Sequence, residues 1–456
     1  MHLCHGRQDD GSQFTPSHEA VTLRHYWGIT PRAVDYRPTV TMDLHALTRR
    51  IHWHDRRTQY IALTAAIVGY YAARLITTAF SSRSRRGPSI FASPLKSLPT
   101  TRQARLAETL PYPPDALPGG RDVPTPYGSI RVYEWGPEAG RKVLFIHGIS
   151  TPCIAFAGMA QLLVDRGYRV MLFDLFGRGY SDTPDPVAHP QDIRLFTSQV
   201  LLVLASSALD WMTSRFTLVG YSLGGGIGAA FTAYFPRLVG SLVLIAPAGL
   251  VRPKHIAWMS RLLYGGMLPQ WVVRYYVANR LRGRPPIPFA QKPVSGNPEA
   301  VGPAKVVESE VPSPHPALAA DSAAPLFADR PDISPANAVA WQLDAHPGFL
   351  PAFISSIQYA PISNEHERWR TIGRRQSAVR RAAEGADDKA GMGLREGKVL
   401  ILLGAQDQVI VANEVEDDAT QVLGKDNVEC VTLRGGHDVP IVNAKGCTDA
   451  LLEFLV

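Results

Sequence analysis

The stretch that most constrains this chain is Gly220-Tyr-Ser-Leu-Gly-Gly225. It directly follows the apolar run Phe216–Val219 and directly precedes Gly225–Phe235, a helix-compatible run. A serine at the apex of so short a strand-to-helix turn must adopt a strained backbone. Residues two positions away on either side must then be small to avoid clashes. The hydroxyl stands exposed above the sheet, at the N-terminus of a helix. There the helix dipole and unsatisfied N–H groups favour developing negative charge. The pattern predicts Ser222 as a nucleophile.

The surroundings supply the sheet that such a turn needs. Val143–Ile146, Arg169–Phe173, Thr217–Gly220, Ser241–Ile245 and Lys398–Leu403 are short, β-rich apolar runs. Several are continuously apolar, as strands buried on both faces are, which predicts a mostly parallel central sheet covered by helices. Ser129–Trp135 alternates like an antiparallel strand, and Gln199–Leu209 and Gly225–Phe235 are the most helix-like segments between strands.

With these parts together, the chain resembles the α/β-hydrolase superfamily over roughly residues 125–250 and 395–456. The resemblance implies an oxyanion loop after an earlier strand, and Val143-Leu-Phe-Ile-His147-Gly148-Ile149-Ser150 fits it. The backbone N–H groups of Ile149 and Leu223 would be the two donors, and His147 would shape the loop. Phe173-Asp-Leu-Phe-Gly-Arg-Gly-Tyr-Ser-Asp182 resembles the family's D-x-x-G-x-G-x-S segment. In that segment Asp174 is expected to tie the loop to neighbouring backbone or to Arg178. In this fold the triad runs Ser, then Asp or Glu, then His. Ala246-Pro-Ala-Gly249 carries no carboxylate, whereas Asp407 follows the strand Lys398–Leu403. His437 is the only histidine downstream of Asp407. Ser222, Asp407 and His437 are therefore the expected catalytic residues. Such chemistry requires neither a metal nor an organic cofactor. A serine at 222 also argues against haloalkane dehalogenase and epoxide hydrolase chemistry, which use an aspartate nucleophile on this fold.

The rest of the chain divides around that core. Residues 1–58 are polar and expected to be disordered. Residues 59–80 include Tyr60–Phe80, about twenty residues with a single charge, Arg74, flanked by arginines. That length suits a membrane-anchor helix, spanning or interfacial; the competing reading is an amphipathic or buried helix of the fold. Residues 81–124 read as a linker, 125–250 and 398–456 as the two parts of the core. Residues 251–397, inserted before the strand that carries the acid, read as a helical cap. The centre of that cap, about 285–335, is dense in Pro, Ala and Ser and is expected to be disordered. Trp258, Tyr264, Met267, Trp271, Tyr275 and Tyr276 lie in its first part. They suit the wall of an apolar acyl pocket, or simply the packing of cap on core. Ser150, Tyr221, Trp258, Tyr264 and Trp271 are the substrate-pocket candidates.

The net charge of +7 is not joined by any nucleic-acid-binding motif, so no nucleic-acid partner is expected. Cys4, Cys153, Cys430 and Cys447 form no C-x-x-C pair, which argues against a zinc site or a disulfide framework and for a reducing, intracellular compartment. The leading expectation is a serine hydrolase of a carboxylic ester with a hydrophobic or lipid substrate, associated with a membrane. At the level of architecture it is similar to membrane-anchored monoacylglycerol-lipase-like members of the superfamily. Two alternatives stay open: a specialised hydrolase or acyltransferase for a secondary metabolite, and a non-catalytic ligand binder on the same scaffold.

Overall fold

The computed structural model describes residues 56–81, 90–97, 110–252, 268–282, 323–327, 330–383 and 393–456. The expectations for residues 1–55 and for most of 285–335 fall outside them. The chain divides into two compact units, residues 1–84 and 85–456.

In the first unit, helix α1 spans Arg56–Ser81. Tyr60, Ile61, Leu63, Ile67, Val68 and Tyr71 are exposed on it. The expectation of a transmembrane helix is overturned: among the described residues no helix is long and apolar enough to cross a membrane. The length is sufficient, but Gly69, the alanines at 65, 66, 72 and 73, the threonines at 64, 77 and 78, and Arg57 and Arg74 dilute the apolar content.

The second unit is built on an eight-stranded sheet. Its strands are β1 (Gly120–Thr125), β2 (Gly128–Trp135), β3 (Lys142–Ile146), β4 (Arg169–Phe173), β5 (Phe216–Tyr221), β6 (Val239–Ile245), β7 (Val399–Gly404) and β8 (Val428–Leu433). Their spatial order is β8-β7-β6-β5-β3-β4-β2-β1. The six strands from β8 to β4 run parallel, and β2 and β1 continue the sheet antiparallel. Every residue of β5, β6 and β7 is buried, as their unbroken apolar runs require. Such strands need cover on both faces. Helices α2 (Ala157–Val164), α3 (Ile193–Ala205), α4 (Leu223–Tyr234), α8 (His366–Ala383), α9 (Ala412–Leu423) and α10 (Ala444–Phe454) supply it; α2 packs on α10, and α4 touches both α3 and α8.

Two local differences from the sequence reading have physical causes. Strand β1 falls in the stretch read as linker, because an edge strand with alternating half-exposed residues, Gly120 and Pro124 lacks an apolar run. Helix α3 begins at Ile193 rather than Gln199, because the Asp192 side chain accepts from the Arg194 and Leu195 N–H groups and caps it.

The insertion between β6 and β7 contributes α5 (Gln270–Leu281), α6 (Pro335–Ala345), α7 (Phe349–Tyr359) and α8. Helix α8 flanks the sheet beside α4 and α9, with Trp369 buried. Helices α6 and α7 rest on the segment after β4 through buried polar contacts. His346 Nδ1 accepts from the Gly348 N–H (3.1 Å), so its Nε2–H donates to the Ser181 carbonyl (2.9 Å). The Gln191 N–H donates to Ser355 Oγ at 3.0 Å.

Burial pushes the pKa of His346 down to about 4 and that of His147, the residue after β3, down to about 3. An unfolded chain takes up protons on both near pH 6.5, whereas the folded chain excludes them until far lower pH. The unfolded state thus binds more protons between about pH 6.5 and pH 4, and stability falls as pH falls through that window. Each histidine contributes up to about 1.4 kcal/mol per pH unit. Calorimetry should show Tm dropping from pH 6.5 to pH 4 and a shallower slope in His346→Gln; equal slopes would contradict the assignment.

Candidate active site

Ser222 sits between the end of β5 and the first residue of α4, with φ 51° and ψ −118°. This left-handed backbone is rare for a residue with a side chain. Surrounding hydrogen bonds hold it: the Ser222 N–H donates to the Ile245 carbonyl (3.0 Å), and the Ser222 carbonyl accepts from the Gly225 and Ala248 N–H groups (2.9 Å each). The neighbouring glycines answer to close approach. A Cβ on Gly220 would overlap the Gly224 carbonyl, and one on Gly224 would overlap the Ile146 carbonyl of β3. On Gly225 it would lie 2.7 Å from Pro247 Cβ.

The hydroxyl raised by this turn meets the two residues expected from chain order. Ser222 Oγ lies 3.0 Å from His437 Nε2, and His437 Nδ1 lies 2.8 Å from Asp407 Oδ2. A carboxylate only accepts, so Nδ1 carries the proton and Nε2 presents a lone pair to the serine hydroxyl. Asp407 follows β7, and its Oδ1 accepts from the Val409 and Ile410 N–H groups at 2.8 and 2.9 Å. All three side chains are buried, which strengthens each contact.

The loop after β3 comes against the same point. A Cβ on Gly148 would lie 3.4 Å from Ser222 Cβ, so Ile149 follows at the rim of the serine. Leu223 opens α4, and its N–H is one of those a helix leaves without an intrahelical acceptor. His147 is fully buried and takes a structural part. Its Nε2 accepts from the Leu175 N–H (2.8 Å) and its Nδ1–H donates to the Gly148 carbonyl (2.8 Å). Asp174 is tied to backbone, accepting from the N–H groups of Cys153 (3.0 Å) and Tyr180 (2.9 Å) and from the Tyr112 hydroxyl. It does not bond Arg178, and burial raises its pKa. Cys153 packs against Tyr112, and burial holds its thiol neutral.

The pocket candidates fare unevenly. Trp258 and Tyr264 lie outside the described residues. Trp271 on α5 is 72% exposed, so it faces solvent instead of lining a pocket; Tyr275, one turn on, is 59% exposed. Apolar character at helical spacing did not reveal which face was covered. Ser150 and Tyr221 are buried, and Tyr221 directly precedes the serine. Tyr221 has a role the sequence reading missed. Its hydroxyl donates to Asp438 Oδ1 at 2.9 Å and its ring lies 5.4 Å from that of His437. The nucleophile turn and the histidine loop are thereby pinned together. Asp438, adjacent to the histidine, was the available signal. Among the described residues no cluster of His, Cys, Asp and Glu could hold a metal ion.

The family model described as the alpha/beta hydrolase fold matches residues 142–285, the stretch that carries the Gly148 loop and the serine turn. The fold is that of an α/β hydrolase. Among its relatives, a serine hydrolase-like protein of Danio rerio is 32% identical over 130 residues, which are 28% of this chain and 38% of that protein. A serine hydrolase-like protein of Homo sapiens is 34% identical over 120 residues, 26% of this chain and 56% of that one. The match thus spans only part of the length of either relative. A solved hydrolase from Pseudomonas aeruginosa PA01 is 16% identical, aligned over 74% of this chain and 98% of that chain, with a TM-score of 0.47.

The serine turn makes a paired prediction on one helix. Gly224→Ala should destabilise by about 1–3 kcal/mol or more, because the backbone carbonyls of Ile146 and His147 cannot yield. Gly228→Ala, whose Cβ would meet Leu218 at an ordinary 3.6 Å, should be neutral or stabilising by up to about 1 kcal/mol through helix propensity. Urea unfolding of both variants checks it; equal effects would contradict the steric account.

Proposed function

We propose that this α/β hydrolase cleaves a carboxylic ester with a hydrophobic acyl group through an acyl-enzyme on Ser222. The observation that carries the reading is the hydrogen-bonded relay Asp407–His437–Ser222, with the serine held at positive φ at the N-cap of α4. Ser222 Oγ attacks the ester carbonyl carbon while its proton passes to His437 Nε2. The Ile149 and Leu223 N–H groups stabilise the oxyanion. Collapse of the tetrahedral species expels the alcohol, which takes the proton from His437. Water then attacks the acyl-serine, gives a proton to His437, and the acid leaves as Ser222 regains its hydrogen. Asp407 keeps the imidazole in the required tautomer and stabilises the imidazolium. Support for a hydrophobic acyl group comes from the apolar residues adjoining the relay, Ile149, Leu223, Val409, Ile410 and Val439.

The test is hydrolysis of p-nitrophenyl esters from acetate to palmitate. Ser222→Ala should lower kcat by about 10³-fold or more, and Asp407→Asn by about 10³–10⁴-fold. In the wild type kcat/KM should rise with acyl length. Turnover indifferent to Ser222→Ala would overturn the mechanism; turnover confined to acetate would overturn the hydrophobic acyl group alone.

A further inference from the structure

Three successive carbonyls of the loop beside Ser222 are each held by a side chain. Gly148 O accepts from His147 Nδ1–H at 2.8 Å. Ile149 O accepts from Arg178 Nε–H at 2.9 Å. Ser150 O accepts from Gln342 Nε2 at 3.0 Å. The first donor belongs to the loop itself, the second to the segment after β4, and the third to α6 of the insertion.

Arg178 is an unusual donor. It is fully buried, and its guanidinium bonds neutral oxygens: Ile149 O, Phe176 O (3.0 Å), Gln191 Oε1 (3.4 Å) and Ser356 Oγ on α7 (2.8 Å). Among the described residues no carboxylate partners it, and burial lowers its pKa to about 9, which leaves it charged at neutral pH. A buried cation without a counter-charge is costly to a fold. A purely structural brace would be cheaper as a neutral side chain. Its charge is held at the carbonyl of Ile149, the residue whose N–H the proposed mechanism assigns to the oxyanion, and positive potential there favours the developing negative charge. Gln342, also fully buried, accepts from the Gly179 N–H at 2.7 Å while holding Ser150 O. One side chain of α6 therefore joins the Arg178 segment to the loop.

We propose that Arg178 and Gln342 are positioning residues for the oxyanion site, braced by Ser356, so that the seating of α6 and α7 sets the direction of the Ile149 N–H. The role in turnover rests on the hydrolase reading above. In this arrangement α6 and α7 are a fixed part of the site. Loosening them costs the chemical step and leaves ground-state binding of substrate in place.

The experiment compares full-length wild type with Gln342→Met, Ser356→Ala and Arg178→Lys, using p-nitrophenyl butyrate turnover together with hydrogen–deuterium exchange. Exchange in the 147–151 peptide should rise several-fold in Gln342→Met and Ser356→Ala while that of β5 and β6 stays as in wild type. In the same variants kcat should fall about 10-fold with KM within about twofold, the mark of a misdirected donor. Arg178→Lys, which keeps the charge and loses the fork, should fall further in kcat. Unchanged 147–151 exchange, or a rise in KM with kcat preserved, would overturn the proposal. If wild type turned over no ester while the exchange response appeared, the hydrolase reading would fall and the link from α6 to the loop would stand.

Discussion

The left-handed backbone of Ser222 is the constraint on which the rest depends. At φ 51° the chain reverses from β5 into α4 within one residue, and that reversal alone lifts the hydroxyl to His437. Everything close to the turn is arranged to permit it. Gly220 and Gly224 are bare so that strand, helix and the Ile146 carbonyl can approach, and the buried strands β5, β6 and β7 hold the ends in place. Strain of this kind persists only where the surroundings over-determine it. Here the hydrogen bonds from Gly225 and Ala248 to the Ser222 carbonyl do so.

A second layer of constraint is polar and buried. Asp174, His147, Arg178 and Gln342 carry no proposed proton transfer, yet each holds backbone within or beside the Gly148 loop. Each pairs with at least one backbone carbonyl or N–H group, so the loop has no freedom to relax without stranding a buried polar atom. Rigid placement of this sort is what lets N–H dipoles act on a transient oxyanion without reorganising at the moment of reaction. The Tyr221–Asp438 bond plays the equivalent part for the histidine loop.

What was legible in the sequence follows from locality. The Gly-x-Ser-x-Gly turn is a steric rule over five residues, and unbroken apolar runs mark fully buried strands, so the sheet and Ser222 could be read directly. Asp407 and His437 followed from chain order and from the scarcity of other choices. Contacts that join distant segments leave no such trace. Tyr221 and Asp438 are 217 residues apart, Gln342 and Ser150 are 192 apart, and neither pair has a period or motif to announce it. Helix α1 and Trp271 misled for a related reason. Apolar residues at helical spacing tell of a helix but not of what covers it, and the transmembrane reading weighed length over the alanines, threonines and arginines within it.

The most direct measurement is intact-mass spectrometry after reaction with diisopropyl fluorophosphate, followed by peptide mapping. An activated Ser222 should take one diisopropylphosphoryl group per chain, on the peptide that contains Gly220–Gly225, and His437→Ala should slow that reaction by about 10²-fold or more. Absence of the adduct from folded wild type, or its formation at the same rate without His437, would contradict a serine nucleophile activated by the relay.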